Sequence, residues 1–178
     1  MKELQVIRLG HPLLRKKSVA VKQREMQTKR FQTFLDNLAT LCLQSNGAGI
    51  AAPQVGINKR VIVIHVDPKN PRYPDKNPFP LTIIVNPLVI KSSKMQKEDW
   101  EGDLSAGIRA LVPRPITCIV NGIDRFGKEV IYNLQYDFHA RVFQHEIDHL
   151  DGIFFIDKVK NKKTITELAE YEKYWKDK

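Results

Sequence analysis

The stretch QHEIDHLDG, residues 144–152, places His145 and His149 four apart, with Glu146 directly after the first histidine. On a helix both imidazoles leave one face together. Two imidazoles and an adjacent carboxylate are the parts of a divalent metal site in which the glutamate acts as general base. A catalytic site of this type takes three protein ligands and keeps one position open, so a third donor must come from elsewhere. The five-residue pattern also arises by chance on surface helices. Here Phe138, Val142, Ile147 and Leu150 surround it, so the helix is expected to run through the core, where an unpaired imidazole or carboxylate is costly.

That helix is expected from about Asp137, as N-cap, to Asp151, with Gly152 as its stop. Upstream, residues 24–45 set Phe31, Phe34, Leu35, Leu38, Leu41 and Cys42 on one stripe at helical spacing, ended by Asn46 and Gly47. RVIVIHVD and TIIVNPLVIK are rich in β-branched residues and read as strands. The proline-rich run PKNPRYPDKNPFP between them reads as a surface loop. ITCIVNGIDRFGKEVIYNLQ reads as a hairpin turning at Asp124 to Gly127. In the tail, Thr164 and Glu167 have the spacing of a capping box, and Ile165, Leu168 and Trp175 follow along one side. Helix, then strands, then helices describes an α+β domain with largely antiparallel sheet.

At 178 residues the chain is read as one domain, residues 1–178. Its 29 Lys and Arg against 20 Asp and Glu give +9, a field that attracts polyanions. The basic residues are scattered, and the sequence has no zinc finger, aromatic RNA-binding motif or long basic helix, so no sequence-specific nucleic-acid binding is expected. The charge leaves two readings, a solvated surface or loose contact with an RNA-rich partner such as a ribosome. Cys42 and Cys118 sit in apolar contexts, LATLCLQ and ITCIVNG, and read as buried, inert thiols. The first residues, MKELQVIRLG, hold no apolar run of the signal-peptide or membrane-span kind. A cytoplasmic location and no membrane partner are the expectation.

Taken together, GAGIAAPQVG (residues 47–56), EGDLS (101–105) and QHEIDHLDG resemble, in order and separation, the three signature motifs of the peptide deformylase family. GHPLLRKKS and RALVPR extend the resemblance over nearly the whole chain. It implies a small α+β fold, with antiparallel β-sheets around a central helix carrying the HExxH residues. The implied reaction removes the N-formyl group from the N-terminal methionine of nascent polypeptides. The implied cofactor is one divalent metal ion, Fe²⁺ or a substitute such as Zn²⁺, Ni²⁺ or Co²⁺. By position, His145 and His149 would be ligands and Glu146 the base. The Gln54 side-chain amide and the Leu104 backbone N–H would stabilise the oxyanion, and Gly49 and Ile50 would line the substrate channel.

The family's third ligand is a cysteine at the place occupied here by Asp103. Aspartate is an ordinary ligand for such ions and, like a thiolate, carries one negative charge. Its oxygen lies one bond further from Cβ, while its metal bond is shorter, about 2.0–2.2 Å against about 2.3 Å for zinc and sulfur. Either the ion shifts or the backbone adjusts, and SAGIR is one residue shorter than the family's usual loop, lacking its proline. The alternative is that Asp103 points away and the site is metal-free. Glu101 is expected to orient Arg109 or a ligand, or else to form a plain surface salt bridge. Arg109 and Arg141 join the substrate-binding set. Arg141 lies one turn before His145, where the resemblance implies an apolar pocket wall. Its guanidinium would either make the methionine pocket cationic or reach solvent or a nearby carboxylate.

Two other functions compete with a deformylase. One is a catalytically weak or inactive relative that binds peptides or the ribosome. The other is a metallopeptidase, which the HExxH residues allow and the other two motifs argue against.

Overall fold

The computed structural model describes residues 4–176 apart from Pro71 and Pro74. Two antiparallel sheets and one central helix build the site. The larger sheet has the order β1 (Gly49–Ala51), β2 (Val61–Val66), β3 (Phe79–Ser92), β6 (Cys118–Ile123), β7 (Glu129–Leu134). The smaller sheet pairs β4 (Gln96–Asp103) with β5 (Ala106–Pro115), and β5 with the two-residue β8 (Thr166–Glu167). All the strand pairings of both sheets are antiparallel. The α+β architecture expected from the element order is the one observed.

Strand β2 shows how the layers form. Successive side chains of a strand point to opposite faces. Ile62 and Ile64 pack with Ile84, Val120, Phe143 and Leu150 on one face, and Val61 and Val63 pack with Phe31, Leu35 and Leu38 on the other. The first face receives α3 (Asp137–Leu150), the second α2 (Lys29–Gln44). Helix α3 is thus sealed between the larger sheet and β5, and eleven of its fourteen residues are buried. A third apolar cluster, with Leu14, Val112, Phe154 and Phe155, lies on the smaller sheet.

Several local expectations shift. The helix expected over residues 24–45 is two elements, α1 (Gln23–Met26) and α2. Thr28 adopts an extended conformation between them, and its hydroxyl oxygen accepts from the Phe31 N–H at 3.3 Å, which starts α2 afresh. Tyr136, and not Asp137, holds the N-cap position of α3, without a capping side-chain hydrogen bond. The capping box at Thr164 does not form. The Thr164 hydroxyl accepts from the Leu111 N–H at 3.2 Å and so ties the tail to β5, while α4 (Leu168–Tyr174) begins only after β8. The hairpin at Asp124 to Gly127 is present, with the Asp124 carboxylate accepting from the Phe126 and Lys128 N–H groups. Of the proline-rich segment, Pro71 and Pro74 lie outside the described residues, and Phe79 and Pro80 already belong to β3.

Both cysteines are buried. Burial, with a smaller contribution from Glu146, pushes the Cys42 thiol up to about 12, and burial pushes Cys118 to about 11. These are the inert thiols that the apolar contexts implied. Among the described residues no helix is long and apolar enough to cross a membrane.

Gly152 ends α3 with φ +72°, and a Cβ built on it would lie 2.6 Å from the Arg15 carbonyl oxygen. Gly152→Ala should therefore lose about 1–3 kcal/mol of stability. The midpoint of urea unfolding, followed by far-UV circular dichroism, measures it.

Candidate metal centre

Helix α3 carries an unusual cargo for a buried helix: Arg141, Gln144, His145, Glu146 and His149 are all nearly inaccessible. Each needs a partner, because a buried polar group left alone is costly. The partners come mainly from the β4–β5 hairpin, which ends in a tight turn with Asp103 paired to Ala106 after a register shift at Gly102.

Asp103 Oδ2 lies 3.2 Å from His145 Nε2 and 2.8 Å from His149 Nε2. The three ligating atoms fall within 4.8 Å of one another. On its other side His145 places Nδ1 3.0 Å from Glu101 Oε2, which fixes the ring and leaves Nε2 facing Asp103. His149 Nε2 has no aligned hydrogen bond despite its closeness to Asp103, and Glu146 Oε2 is buried with no partner. Two imidazoles, a carboxylate and unsatisfied buried atoms beside them fit a divalent cation. Asp103 does not point away.

Burial drives the Asp103 carboxyl upward, but the facing His149 and His145 outweigh it and hold the group well below the usual carboxylate range. Burial likewise opposes ionisation of Glu101, and Arg114 and His145 overcome it. His145 is raised well above its ordinary value: burial opposes this, and Asp103 and Glu101 prevail. Glu146 moves the other way, pushed up to about 7 chiefly by burial. That is the range in which a carboxylate serves as a base near neutral pH.

Glu101 resolves the alternatives left by its sequence context. Its Oε1 accepts from Arg114 Nε at 2.8 Å and from Arg141 at 2.7 Å, and its Oε2 accepts from Arg114 at 2.9 Å. It orients a histidine, as one expectation had it, and does not hold Arg109. Arg114 is 2% exposed and also pairs with Asp148. Neither Arg114 nor Asp148 was singled out by motif. The signal was present all the same, a charge at Arg114 ending the otherwise apolar ALVP run of β5.

Of the two readings of Arg141, a cationic methionine pocket or a charge reaching solvent or a nearby carboxylate, the geometry favours the second. Its guanidinium is paired with Glu101 and donates to the Val112 and Lys97 carbonyls, both at 2.7 Å. The nearby-carboxylate alternative describes it. Arg141 still lines the cavity with Trp100, Phe138 and Val142. Arg109 lines the same cavity, with its guanidinium carbon 4.6 Å from the Tyr171 ring centroid and its Nε buried without a partner.

Gly49 lines the cavity on β1, the edge strand of the larger sheet. A Cβ there would sit 2.7 Å from Glu146 Oε1, so the glutamate occupies the space that the missing side chain leaves. Ile50, next on β1, is fully buried in the α2-side core and is not among the residues lining the cavity. Leu104 lines the cavity beside Asp103, and its carbonyl accepts from Arg8 at 3.1 Å. Gln54 is buried, with Nε2 donating to Asp103 Oδ1 at 3.0 Å and Oε1 accepting from the Ala51 N–H at 2.8 Å.

Comparison with known proteins gives the family. The sequence model of the polypeptide deformylase family matches residues 3–164. The chain belongs to the peptide deformylase family. It is 43% identical over 171 residues to peptide deformylase 2 of Nostoc sp., covering 95% of this chain and 93% of that protein. Peptide deformylase 1 of Nitrosomonas europaea is 38% identical over 84% of each. The structure resembles a Met-Ala-Ser-bound class I type b peptide deformylase from Acinetobacter baumannii with a TM-score of 0.84 and 34% identity, over 89% of this chain and 99% of that one. A plant peptide deformylase aligns with a TM-score of 0.78 and 27% identity, over 97% of this chain and 87% of that one. This deformylase-family chain is a hydrolase with the family's fold.

The ion-paired shell makes a prediction. Arg114→Met leaves Glu101 and Asp148 without the guanidinium between them, and breaking a buried pair in this way costs about 3–5 kcal/mol. Chemical denaturation of parent and variant should show a loss of that size, and an unchanged midpoint would remove Arg114 from the support of the site.

Proposed function

We propose that this protein removes the formyl group from the N-terminal methionine of nascent peptides, with a divalent cation held by Asp103, His145 and His149. The observation that carries the reading is Asp103 Oδ2 facing both imidazoles beside the unpartnered Glu146 carboxylate. A cation bound there supplies Lewis-acid activation of water, drawing its pKa toward about 7. Two histidines and a carboxylate are a ligand set suited to Fe²⁺, the physiological ion in this reading, and Zn²⁺, Ni²⁺ and Co²⁺ are expected substitutes.

The chain's own residues do the rest. Glu146 takes a proton from the attacking water and delivers it to the leaving amine as the formamide C–N bond breaks, releasing formate. A tetrahedral oxyanion requires donors aimed at it. The Gln54 amide has two hydrogens and only one is directed at Asp103, so the second serves this purpose with the Leu104 backbone N–H. The free edge of β1 supports pairing of an extended substrate through the backbone of Gly49 and Ile50. With the Arg141 charge neutralised by Glu101, the wall formed with Phe138 and Val142 suits a methionine side chain. Arg109, which lines the same cavity, contacts the peptide further along in this reading. Within the same reading the chain works as a single domain in the cytoplasm, and its +9 charge favours contact with the ribosome.

The test is turnover of formyl-Met-Ala-Ser by anaerobically prepared protein loaded in turn with each of the four metals. Release of formate supports the proposal. Metal bound with no turnover in any form would favour a peptide-binding relative without catalysis.

Two substitutions assign the roles. Asp103→Ala should lower metal content sharply by elemental analysis while the circular dichroism spectrum is kept, and full occupancy would remove Asp103 from the ligand set. Glu146→Gln should retain the metal and lower kcat by at least about 10²-fold, the lower range for general acid–base catalysis. Retained activity would take Glu146 out of the mechanism.

A further inference from the structure

We infer that Gln54 is a positioning residue for Asp103: it holds one carboxylate oxygen so that the aspartate presents only the other to the cation. The inference rests on the reading of Asp103 as a ligand. The two oxygens have different surroundings. Oδ1 accepts from the Ser105 backbone N–H at 2.6 Å and from Gln54 Nε2 at 3.0 Å. Oδ2 faces the two imidazoles. The Asp103 side chain has no exposed surface, so water does not compete for Oδ1.

Gln54 is itself fixed. It is 1% exposed, and its Oε1 accepts from the Ala51 N–H at 2.8 Å. A backbone N–H needs an acceptor, so the amide oxygen belongs on that side and the NH₂ group must face Asp103. The carboxylate is therefore held at one end by two donors that come from different parts of the chain, the turn after β4 and the segment after β1.

A free carboxylate can offer a cation either oxygen or both. A carboxylate with one oxygen committed to two N–H groups offers a single donor atom, as a thiolate does. The Asp103 site thus keeps the donor count of a cysteine site. This dependence on Gln54 is specific to aspartate, because a cysteine has no second oxygen to restrain. Gln54 then has two separable tasks, one on the ligand and one on the reaction.

A metal-affinity cycle separates them. Zn²⁺ dissociation constants are measured by chelator competition for the parent, Gln54→Ala, Asp103→Cys and the double variant, each checked for folding by circular dichroism. In the aspartate background Gln54→Ala should weaken Zn²⁺ by about 10- to 100-fold, the usual effect of removing a group that orients a ligand, and in the Asp103→Cys background by less than about threefold. The visible spectrum of the Co²⁺ forms should change with Gln54→Ala in the first background and not in the second. Equal weakening in both backgrounds would mean that Gln54 only supports the local fold, and no weakening in the first would mean that it acts on substrate alone. Either result overturns the inference. Should Gln54→Ala not fold, Gln54→Met, which keeps the side-chain length, replaces it in the same cycle. Asp103→Ala is run alongside: metal bound as tightly as by the parent would defeat the ligand reading itself, whereas lost metal with an unaffected Gln54→Ala defeats only the present inference.

Discussion

Glu101 is a carboxylate shut away from water, and the site stands on keeping it ionised. Burial alone would favour its neutral form. Arg114, Arg141 and His145 converge on its two oxygens and reverse that preference. Three consequences follow from one group. The β4–β5 hairpin is fastened to α3, because Glu101 and Arg114 lie on the hairpin while Arg141, His145 and Asp148 lie on the helix. The His145 ring is fixed, with Nε2 toward Asp103. And, together with Asp148, Glu101 offsets the charge of the two arginines, which would otherwise repel a cation held at the proposed site.

The remaining geometry is set by close approach. Glu146 is adjacent in sequence to His145, a ligand in the proposed site, and to act as base there it must not be consumed by the ligand shell or by a salt bridge. It is left without a partner on one oxygen and packed against the bare backbone of Gly49. The strand thus does two things at one residue: it admits the carboxylate and exposes an edge for an extended chain. A side chain at that position would set these uses against each other. The same reasoning accounts for Ile50, whose side chain anchors β1 in the α2-side core while its neighbour faces the cavity.

What was readable in the sequence was whatever depends on spacing along the chain. His145, Glu146 and His149 sit on one helix, so periodicity alone puts them together. The Asp124 to Gly127 turn and the Gly152 stop are also local. The identity of Asp103 as third partner needed the resemblance, since nothing in EGDLS alone says that the hairpin folds back onto α3. For Arg141 the sequence left two readings open for the same reason: its position on the helix was readable, but the choice between a pocket charge and a paired one is made by Glu101, forty residues away in sequence. Thr164 shows the converse case, a local capping signal overridden because its hydroxyl accepts from the β5 backbone instead. Long-range pairing decides buried charges, and pairing of that kind leaves no periodic trace.

The exchange of thiolate for carboxylate at residue 103 is more than a change of atom. A carboxylate is harder, holds its charge over two oxygens and favours cations that accept oxygen. If both oxygens were free, the first shell would be adjustable in a way that a thiolate site is not. Here the Ser105 N–H and the Gln54 amide draw charge toward Oδ1, leaving Oδ2 as a single and less charged donor between the imidazoles. A weaker anionic donor neutralises less of a cation's charge and so leaves more of it to act on water. The hydrogen bonds that hold the aspartate in place would therefore also act on the electrophilicity of a cation bound there. In the proposed site the geometry of the Asp103 ligand and the strength of the Lewis acid would be set by the same two N–H groups.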